Sequence, residues 1–108
     1  MEREVRVLIV EDSEDDVALM LLELRRAGFT TSHARVDAAA PLVEALEREA
    51  WGVVLCDHKL PRFNAPEALR TVRGRDAELP FVIVSSSIGE ALVAELMRSG
   101  ATDYVSKD

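Results

Sequence analysis

The apolar residues of this chain change period several times between its two ends. Short, nearly continuous apolar runs at residues 5–10, 53–56 and 81–84 are typical of buried strands. Weaker strand patterns occur at residues 30–34 and 103–105. Between these runs, apolar residues recur every three or four positions, as they do on the buried face of a helix. Strands that alternate with helices predict an α/β fold with five strands in a parallel sheet.

Capping residues indicate where the helices begin and end. Ser13 and Asp16 have the spacing of an N-cap and its return partner, and Gly28 stands where a left-handed C-terminal cap belongs. A second helix is entered at residues 37–41. A loop at residues 61–66 is predicted to precede a short third helix, and Gly100 is predicted to close the last one.

Length and charge narrow the possible classes of protein. The 108 residues suffice for a single domain, predicted to span residues 1–108. The net charge of -7 opposes binding to the phosphate groups of nucleic acids, so no direct contact with nucleic acid is expected. No apolar run approaches the roughly 20 residues that cross a bilayer, so no membrane contact is expected either. The lone Cys56 excludes an intramolecular disulfide and fits a reducing compartment, which predicts a cytoplasmic location.

Polar side chains follow the predicted strands at one edge of the sheet. Glu11 and Asp12 follow the first strand, Asp57 the third, Ser85 the fourth and Lys107 the fifth. Ligands of parallel α/β sheets bind beyond the carboxyl ends of the strands, so these groups are the first candidates for a site. Three carboxylates crowded together repel one another unless a cation joins them, and hard oxygen ligands suit Mg²⁺. The sequence therefore predicts a magnesium site.

The same edge predicts phosphoryl chemistry. Magnesium commonly binds one or two carboxylates plus a phosphate, which leaves room for an incoming phosphoryl group with Asp57 as its nucleophile. Phosphoryl transfer is catalysed mainly by alignment and by charge neutralisation. The ammonium of Lys107 can reach one phosphoryl oxygen, and the hydroxyl of Ser85 can donate to another.

In order and position, these residues resemble the receiver domain of bacterial response regulators over essentially the whole chain. The matching segments are Val7-Leu8-Ile9-Val10-Glu11-Asp12, Leu55-Cys56-Asp57 with Leu60-Pro61, Ile83-Val84-Ser85, and Gly100-Ala101-Thr102-Asp103-Tyr104-Val105-Ser106-Lys107. The resemblance implies a flavodoxin-like, doubly wound parallel sheet in the order 2-1-3-4-5. It also implies that Glu11 and Asp12 hold Mg²⁺ together with Asp57, the phosphorylation site.

The resemblance further implies a mechanism and partners. A histidine kinase or a histidine phosphotransfer protein would phosphorylate Asp57, with Lys107 binding the phosphate. Ser85 would then move toward the phosphoryl group, Tyr104 would rotate inward, and an interaction surface would change. The chain would catalyse at most its own phosphorylation and dephosphorylation, so it is not expected to be an enzyme in its own right.

Three features depart from the family's commonest pattern. The family normally continues past the lysine into a final amphipathic helix for which this chain has no residues, and an open sheet face predicts a homodimer or reduced stability. Ala65 stands where the family often has a glycine, and Asp108 replaces the usual proline after Lys107. The stretches at residues 64–66 and 85–90 resemble receivers that occur beside sensor or kinase modules.

Other interpretations of the same residues remain open. Glu11 and Asp12 also suit the start of a helix, and Tyr104 also suits plain core packing. A magnesium-dependent phosphatase or phosphotransferase would use the same nucleophile, although Lys59 stands where such enzymes often place a second aspartate. A nucleotide-binding module would need a glycine-rich loop after the first strand, which is absent. A phosphorylation-independent interaction module fits as well.

Overall fold

The computed structural model describes residues 3–61, 63–86 and 89–107. Strands and helices alternate along this part of the chain. In order they are β1 (Arg3–Val10), α1 (Glu14–Arg26), β2 (Phe29–Val36), α2 (Ala39–Arg48), β3 (Val53–Cys56), β4 (Lys59–Leu60), β5 (Phe63–Asn64), α3 (Ala65–Arg75), β6 (Phe81–Ser85), α4 (Glu90–Arg98) and β7 (Asp103–Ser106).

Five of the strands form one parallel sheet in the order β2-β1-β3-β6-β7. Counted within this sheet alone, the order is 2-1-3-4-5, so the predicted α/β fold and strand order are confirmed. The chain reverses its direction of travel across the sheet between β1 and β3. Ligand sites of doubly wound sheets lie at such a switch point, beyond the carboxyl ends of the strands.

The central strands are apolar on both faces because helices pack on both faces of the sheet. On one face, Leu8 and Val54 pack with side chains of α2, α3 and α4. On the other face, Val7, Ile9 and Leu55 pack with side chains of α1. Full burial of each such aliphatic side chain contributes about 1.5–3 kcal/mol, so this double layer accounts for the continuous apolar runs in the sequence.

The α1 side of the sheet is less completely covered toward β7 than toward β1. Val82 and Val84 of β6 are only partly buried there. Val105, which pairs with Val84 in the neighbouring strand, is 48% exposed. The described residues therefore leave an apolar strip on this face in contact with solvent.

The N-terminus of α1 is fixed by Ser13, whose hydroxyl accepts a hydrogen bond from the Asp16 N–H at 3.3 Å. The predicted return bond from Asp16 is wrong, since the Ser13 N–H donates to Glu11 Oε1 at 3.2 Å instead. The helix begins at Glu14, so Glu11 and Asp12 lie ahead of it, not in its first turn. Gly28 has a φ of +96° after the last turn, as the capping pattern predicts.

The segment after β3 differs from the prediction of a loop at residues 61–66. A short antiparallel pair of β4 with β5 occupies part of it, and α3 begins at Ala65 and continues for 11 residues. Asn64 caps this helix, because its side-chain oxygen accepts the Glu67 N–H at 2.9 Å and its amide donates to the Glu67 carboxylate at 3.1 Å. Pro66 follows in the first turn, where its missing N–H costs nothing.

Ala65, which stands where the family often has a glycine, causes no backbone strain in this structure. Ala65 is the first residue of α3 and is fully buried, so its backbone is helical and needs no positive φ. Asp108, which stands where the family usually has a proline, lies outside the described residues.

Candidate functional site

The carboxyl ends of β1 and β3 bring the predicted acidic residues together. Val10 and Cys56 pair in the two strands, and the Asp57 N–H donates to the Val10 carbonyl at 2.9 Å. Asp57 therefore leaves β3 beside the point where Glu11 and Asp12 leave β1. Carboxylate oxygens of Glu11, Asp12 and Asp57 all lie within 4.8 Å of one another.

These carboxylates differ in their exposure to solvent. Glu11 is fully buried and Asp57 is only 9% exposed, whereas Asp12 faces solvent. Burial raises the pKa of Glu11, and the hydrogen bond from Lys107 opposes this shift only in part. Crowded, desolvated negative charge at this edge requires a positive counterpart.

Lys107 supplies a positive charge to the cluster from the end of β7. Its Nζ lies 2.8 Å from Glu11 Oε2, 2.7 Å from Asp16 Oδ2 and 3.5 Å from Asp57 Oδ2. Partial burial of Lys107 by itself lowers the pKa of its ammonium, but the hydrogen bonds to Asp16 and Glu11 outweigh that effect and raise it. The side chain is therefore a permanent cation that three carboxylates share.

The oxygen atoms of the cluster fit a hard divalent cation. Glu11 Oε1 already accepts the N–H groups of Asp12 and Ser13, at 3.0 and 3.2 Å, and Oε2 accepts one N–H of Lys107. Each carboxylate oxygen has about two lone-pair sites, so Glu11 Oε2 retains one for a metal or its water. Together with Asp12 and Asp57, this donor set is of the kind that Mg²⁺ prefers.

Ser85 lies at the end of β6, and Tyr104 lies within the neighbouring strand β7. Ser85 ends β6 and is only 4% exposed, and its hydroxyl donates to the Ser86 carbonyl at 3.4 Å. Tyr104 is partly buried against the core, and its hydroxyl donates to the Ser85 carbonyl at 3.2 Å. The main-chain N–H of Lys107 also donates to the Ser85 carbonyl, at 3.2 Å. The main-chain carbonyl of Ser85 thus links the end of β6 to Tyr104 in β7 and to Lys107, which follows β7.

Asp16 is a residue of this site that sequence reasoning missed. The pattern indicated only a capping partner for Ser13, whereas the carboxylate lies against the ammonium of Lys107, 91 positions away in the chain. The available signal was its position in the first helical turn, on the end of α1 that faces the carboxyl edge of the sheet.

Two other polar groups close to the site have structural roles. Arg35, near the end of β2, donates to the main-chain carbonyl of Glu11 at 3.2 Å and so holds the loop after β1. His58 follows Asp57, and its carbonyl accepts the Ala65 N–H at 3.3 Å. Its ring Nδ1 is buried without a hydrogen-bond partner among the described residues.

A family model described as "Response regulator receiver domain" matches residues 7–108 of this chain. A curated relative, "Two-component response regulator ORR41" from Oryza sativa subsp. japonica, is 31% identical over 105 residues, which cover 95% of this chain and 83% of that protein. The chain spans only 22% and 43% of the length of two other curated relatives, which are named as transcriptional regulatory proteins.

Solved structures share the same fold. The crystal structure of a response regulator from Hahella chejuensis has a TM-score of 0.82 and 30% sequence identity, and the match covers 95% of this chain and 80% of that one. The receiver domain of sensor histidine kinase PA1611 from Pseudomonas aeruginosa PAO1 has a TM-score of 0.76 at 22% identity, covering 96% and 85% of the two chains. That structure is described as having a magnesium ion coordinated in its active site cleft. In the described part of this chain, no helix has the length and apolar character to span a membrane.

Proposed function

Because the chain belongs to the family of response regulator receiver domains, we propose that it is a phosphoacceptor signalling domain in which Asp57 receives the phosphoryl group. One observation carries the proposal. Asp57 stands at the switch point of the sheet within 4.8 Å of two further carboxylates and 3.5 Å from the ammonium of Lys107. A carboxylate nucleophile, a metal-type donor set and a fixed cation thus meet at one point.

The proposed reaction transfers a phosphoryl group from a phosphohistidine to Asp57. A carboxylate oxygen of Asp57 forms a bond to phosphorus while the bond between phosphorus and the imidazole nitrogen of the donor breaks, and that nitrogen keeps the electron pair. Little covalent help is needed, because alignment and charge neutralisation lower the barrier. Lys107 neutralises charge on one phosphoryl oxygen, and the Ser85 hydroxyl, if it leaves the Ser86 carbonyl, donates to another.

Glu11, Asp12 and Asp57 are proposed to hold Mg²⁺. The magnesium reported for the PA1611 receiver domain supports this assignment, as does the donor set described above. When bound, the ion neutralises the clustered carboxylates and the negative charge of the incoming phosphoryl group. The chain's own contribution is to keep three carboxylates in place at a buried edge, despite their mutual repulsion.

The proposed output is a change of surface next to the last strand. A phosphoryl group that attracts the Ser85 hydroxyl would displace the main chain whose carbonyl accepts the Tyr104 hydroxyl. Tyr104 and the exposed part of β7 would then present a different surface. The donor is proposed to be a histidine kinase or a histidine phosphotransfer protein. A cytoplasmic location and the absence of direct nucleic acid contact remain predictions.

The test is intact-mass spectrometry after incubation with acetyl phosphate and Mg²⁺. The native chain should gain one phosphoryl group, whereas Asp57→Asn and a sample with excess chelator should gain none. Asp15→Asn is the matched control, because Asp15 is an exposed aspartate in the first turn of α1. This variant should be phosphorylated like the native chain.

The outcome distinguishes two functions. A single adduct that needs both Asp57 and the metal establishes the phosphoacceptor. No adduct on a chain that is folded and binds Mg²⁺ would overturn it in favour of an interaction module that signals without phosphate. An adduct that survives Asp57→Asn would place the nucleophile elsewhere.

A further inference from the structure

Asp16 makes the shortest contact of the Lys107 ammonium. The distance from Lys107 Nζ to Asp16 Oδ2 is 2.7 Å, compared with 2.8 Å to Glu11 and 3.5 Å to Asp57. The Asp16 side chain is 33% exposed, so this ion pair is partly shielded from water. Its main chain is anchored, because the Asp16 N–H donates to the capping hydroxyl of Ser13.

The geometry of the ammonium limits what Lys107 can do next. A lysine ammonium has three N–H donors in a tetrahedral arrangement on a flexible four-carbon stem. Two donors are taken by Glu11 and Asp16. Once two N–H directions are set, the third follows, and Asp57 Oδ2 at 3.5 Å is the remaining acidic oxygen close to the ammonium among the described residues.

We propose that Asp16 is a positioning residue that, together with Glu11, holds Lys107 so that its remaining N–H serves the phosphoryl group on Asp57. The inference rests on the proposed function of Asp57 as phosphoacceptor. Without Asp16, one anchor is lost and the flexible stem samples positions away from Asp57. The loss of conformational entropy on ordering the Lys107 side chain then adds to the barrier of phosphoryl transfer.

If Asp16 competes for Lys107 instead of positioning it, removal of Asp16 should change the phosphorylation rate in the opposite direction. If Asp16 merely competed with the phosphoryl group for Lys107, its removal would free the ammonium, and phosphorylation would become faster. The direction of the change therefore separates positioning from competition.

The first readout is the rate of Asp57 phosphorylation by acetyl phosphate at saturating Mg²⁺. Asp16→Ala should react about tenfold more slowly, since one hydrogen bond between charged groups is lost at a partly exposed position. Asp16→Asn keeps an oxygen that accepts a hydrogen bond and should stay within about threefold of the native rate. Asp15→Ala, its exposed neighbour, is the matched control and should react like the native chain.

The second readout follows the ammonium itself. The sequence has two lysines, Lys59 and Lys107, so ¹H–¹⁵N spectra of lysine ammonium groups are simple and Lys59→Arg identifies the Lys107 signal. Lys107 should show a signal protected from exchange with water in the native chain, and this signal should be lost in Asp16→Ala and retained in Asp16→Asn. A change that only loosened the fold would alter the unfolding midpoint too, which is measured in parallel.

The outcomes of the two proposals are distinguishable. If the native chain is phosphorylated and Asp16→Ala reacts equally fast or faster with an unchanged Lys107 signal, positioning by Asp16 is refuted while the phosphoacceptor stands. If the native chain takes no phosphoryl group, the proposed function fails, and the positioning role fails with it. Should Asp16→Ala not fold, Asp16→Ser replaces it, because its short side chain leaves Lys107 out of reach.

Discussion

Replacing Lys107 by methionine should destabilise the chain strongly without metal and weakly with it. The Lys107 side chain is four-fifths buried and faces the side chains of Glu11 and Asp57, which are 1% and 12% exposed. Its hydrogen bond to Glu11 is worth about 1.5–3 kcal/mol. The bond to the more exposed Asp16 adds about 1 kcal/mol or less. Lys107→Met should therefore lower the free energy of unfolding by about 2–4 kcal/mol in a chelator.

Mg²⁺ should reverse part of this loss. A divalent cation at the proposed site of Glu11, Asp12 and Asp57 would provide the positive charge that the variant lacks, and any ligand that binds only the folded state stabilises it. The assay is urea unfolding at neutral pH, followed by the fluorescence of Trp51, which is partly buried in the native chain. It is run in excess chelator and in saturating Mg²⁺.

Arg75→Met is the matched control for loss of a cation. Arg75 pairs with Glu47 at 2.9 Å, but the two side chains are 40% and 57% exposed. An exposed pair contributes about 0–1 kcal/mol, and this loss should not depend on magnesium. If Lys107→Met cost no more than Arg75→Met, or cost the same with and without Mg²⁺, the view of Lys107 as the counter-cation of the acidic cluster would be wrong.

Three further predictions concern pH dependence, packing and association. Because burial raises the pKa of Glu11, its contribution to the stability of the metal-free chain is full below its usual pKa of 4.5 and is lost as the pH rises through the raised folded-state value. Glu11→Gln should therefore flatten that part of the stability curve, and a curve that keeps its slope would contradict this. Gly52→Ala should lower the free energy of unfolding by about 1–3 kcal/mol, since its Cβ would lie 2.7 Å from Val5 Cγ2. The added Cβ of Gly74→Ala in α3 meets no atom within 4 Å, so this variant should gain about 0.5–1 kcal/mol. Thermal unfolding compares the two variants, and equal shifts of the midpoint would exclude the steric explanation. Residues 1–108 should dimerise or be weakly stable because of the apolar strip around Val105. A chain that is monomeric in sedimentation velocity and also unfolds cooperatively at ordinary stability would refute this.

More of the candidate site than of the fold's local details could be predicted from the sequence. Parallel strands place their carboxyl ends at one edge, so the order of apolar runs and the polar residue after each run are enough to group Glu11, Asp12, Asp57 and Lys107. The group's chemistry follows from charge, since clustered carboxylates need a cation. Ser85 was predicted at the same edge, and the structure adds that its carbonyl accepts a hydrogen bond from the Tyr104 hydroxyl.

Errors concentrated where local patterns permit more than one structure. The hairpin of β4 with β5 and the start of α3 at Ala65 were not predicted, because two-residue strands leave no periodicity to detect. Asp16 was assigned to a local capping interaction, because spacing of three residues is all that a single sequence displays.

The order of apolar runs along the chain is enough to predict a parallel sheet covered by helices. It also indicates which carboxylates follow buried strands and that Lys107 follows the last strand. Which of these charges lie in contact depends on how the helices and strands pack in three dimensions. Lys107 lies 91 and 96 positions from its two hydrogen-bonded partners, Asp16 and Glu11. Whether Lys107 contacts Asp16 depends on the angle at which α1 packs on the sheet. That angle is set by the interlocking of many buried side chains, so no local pattern encodes it.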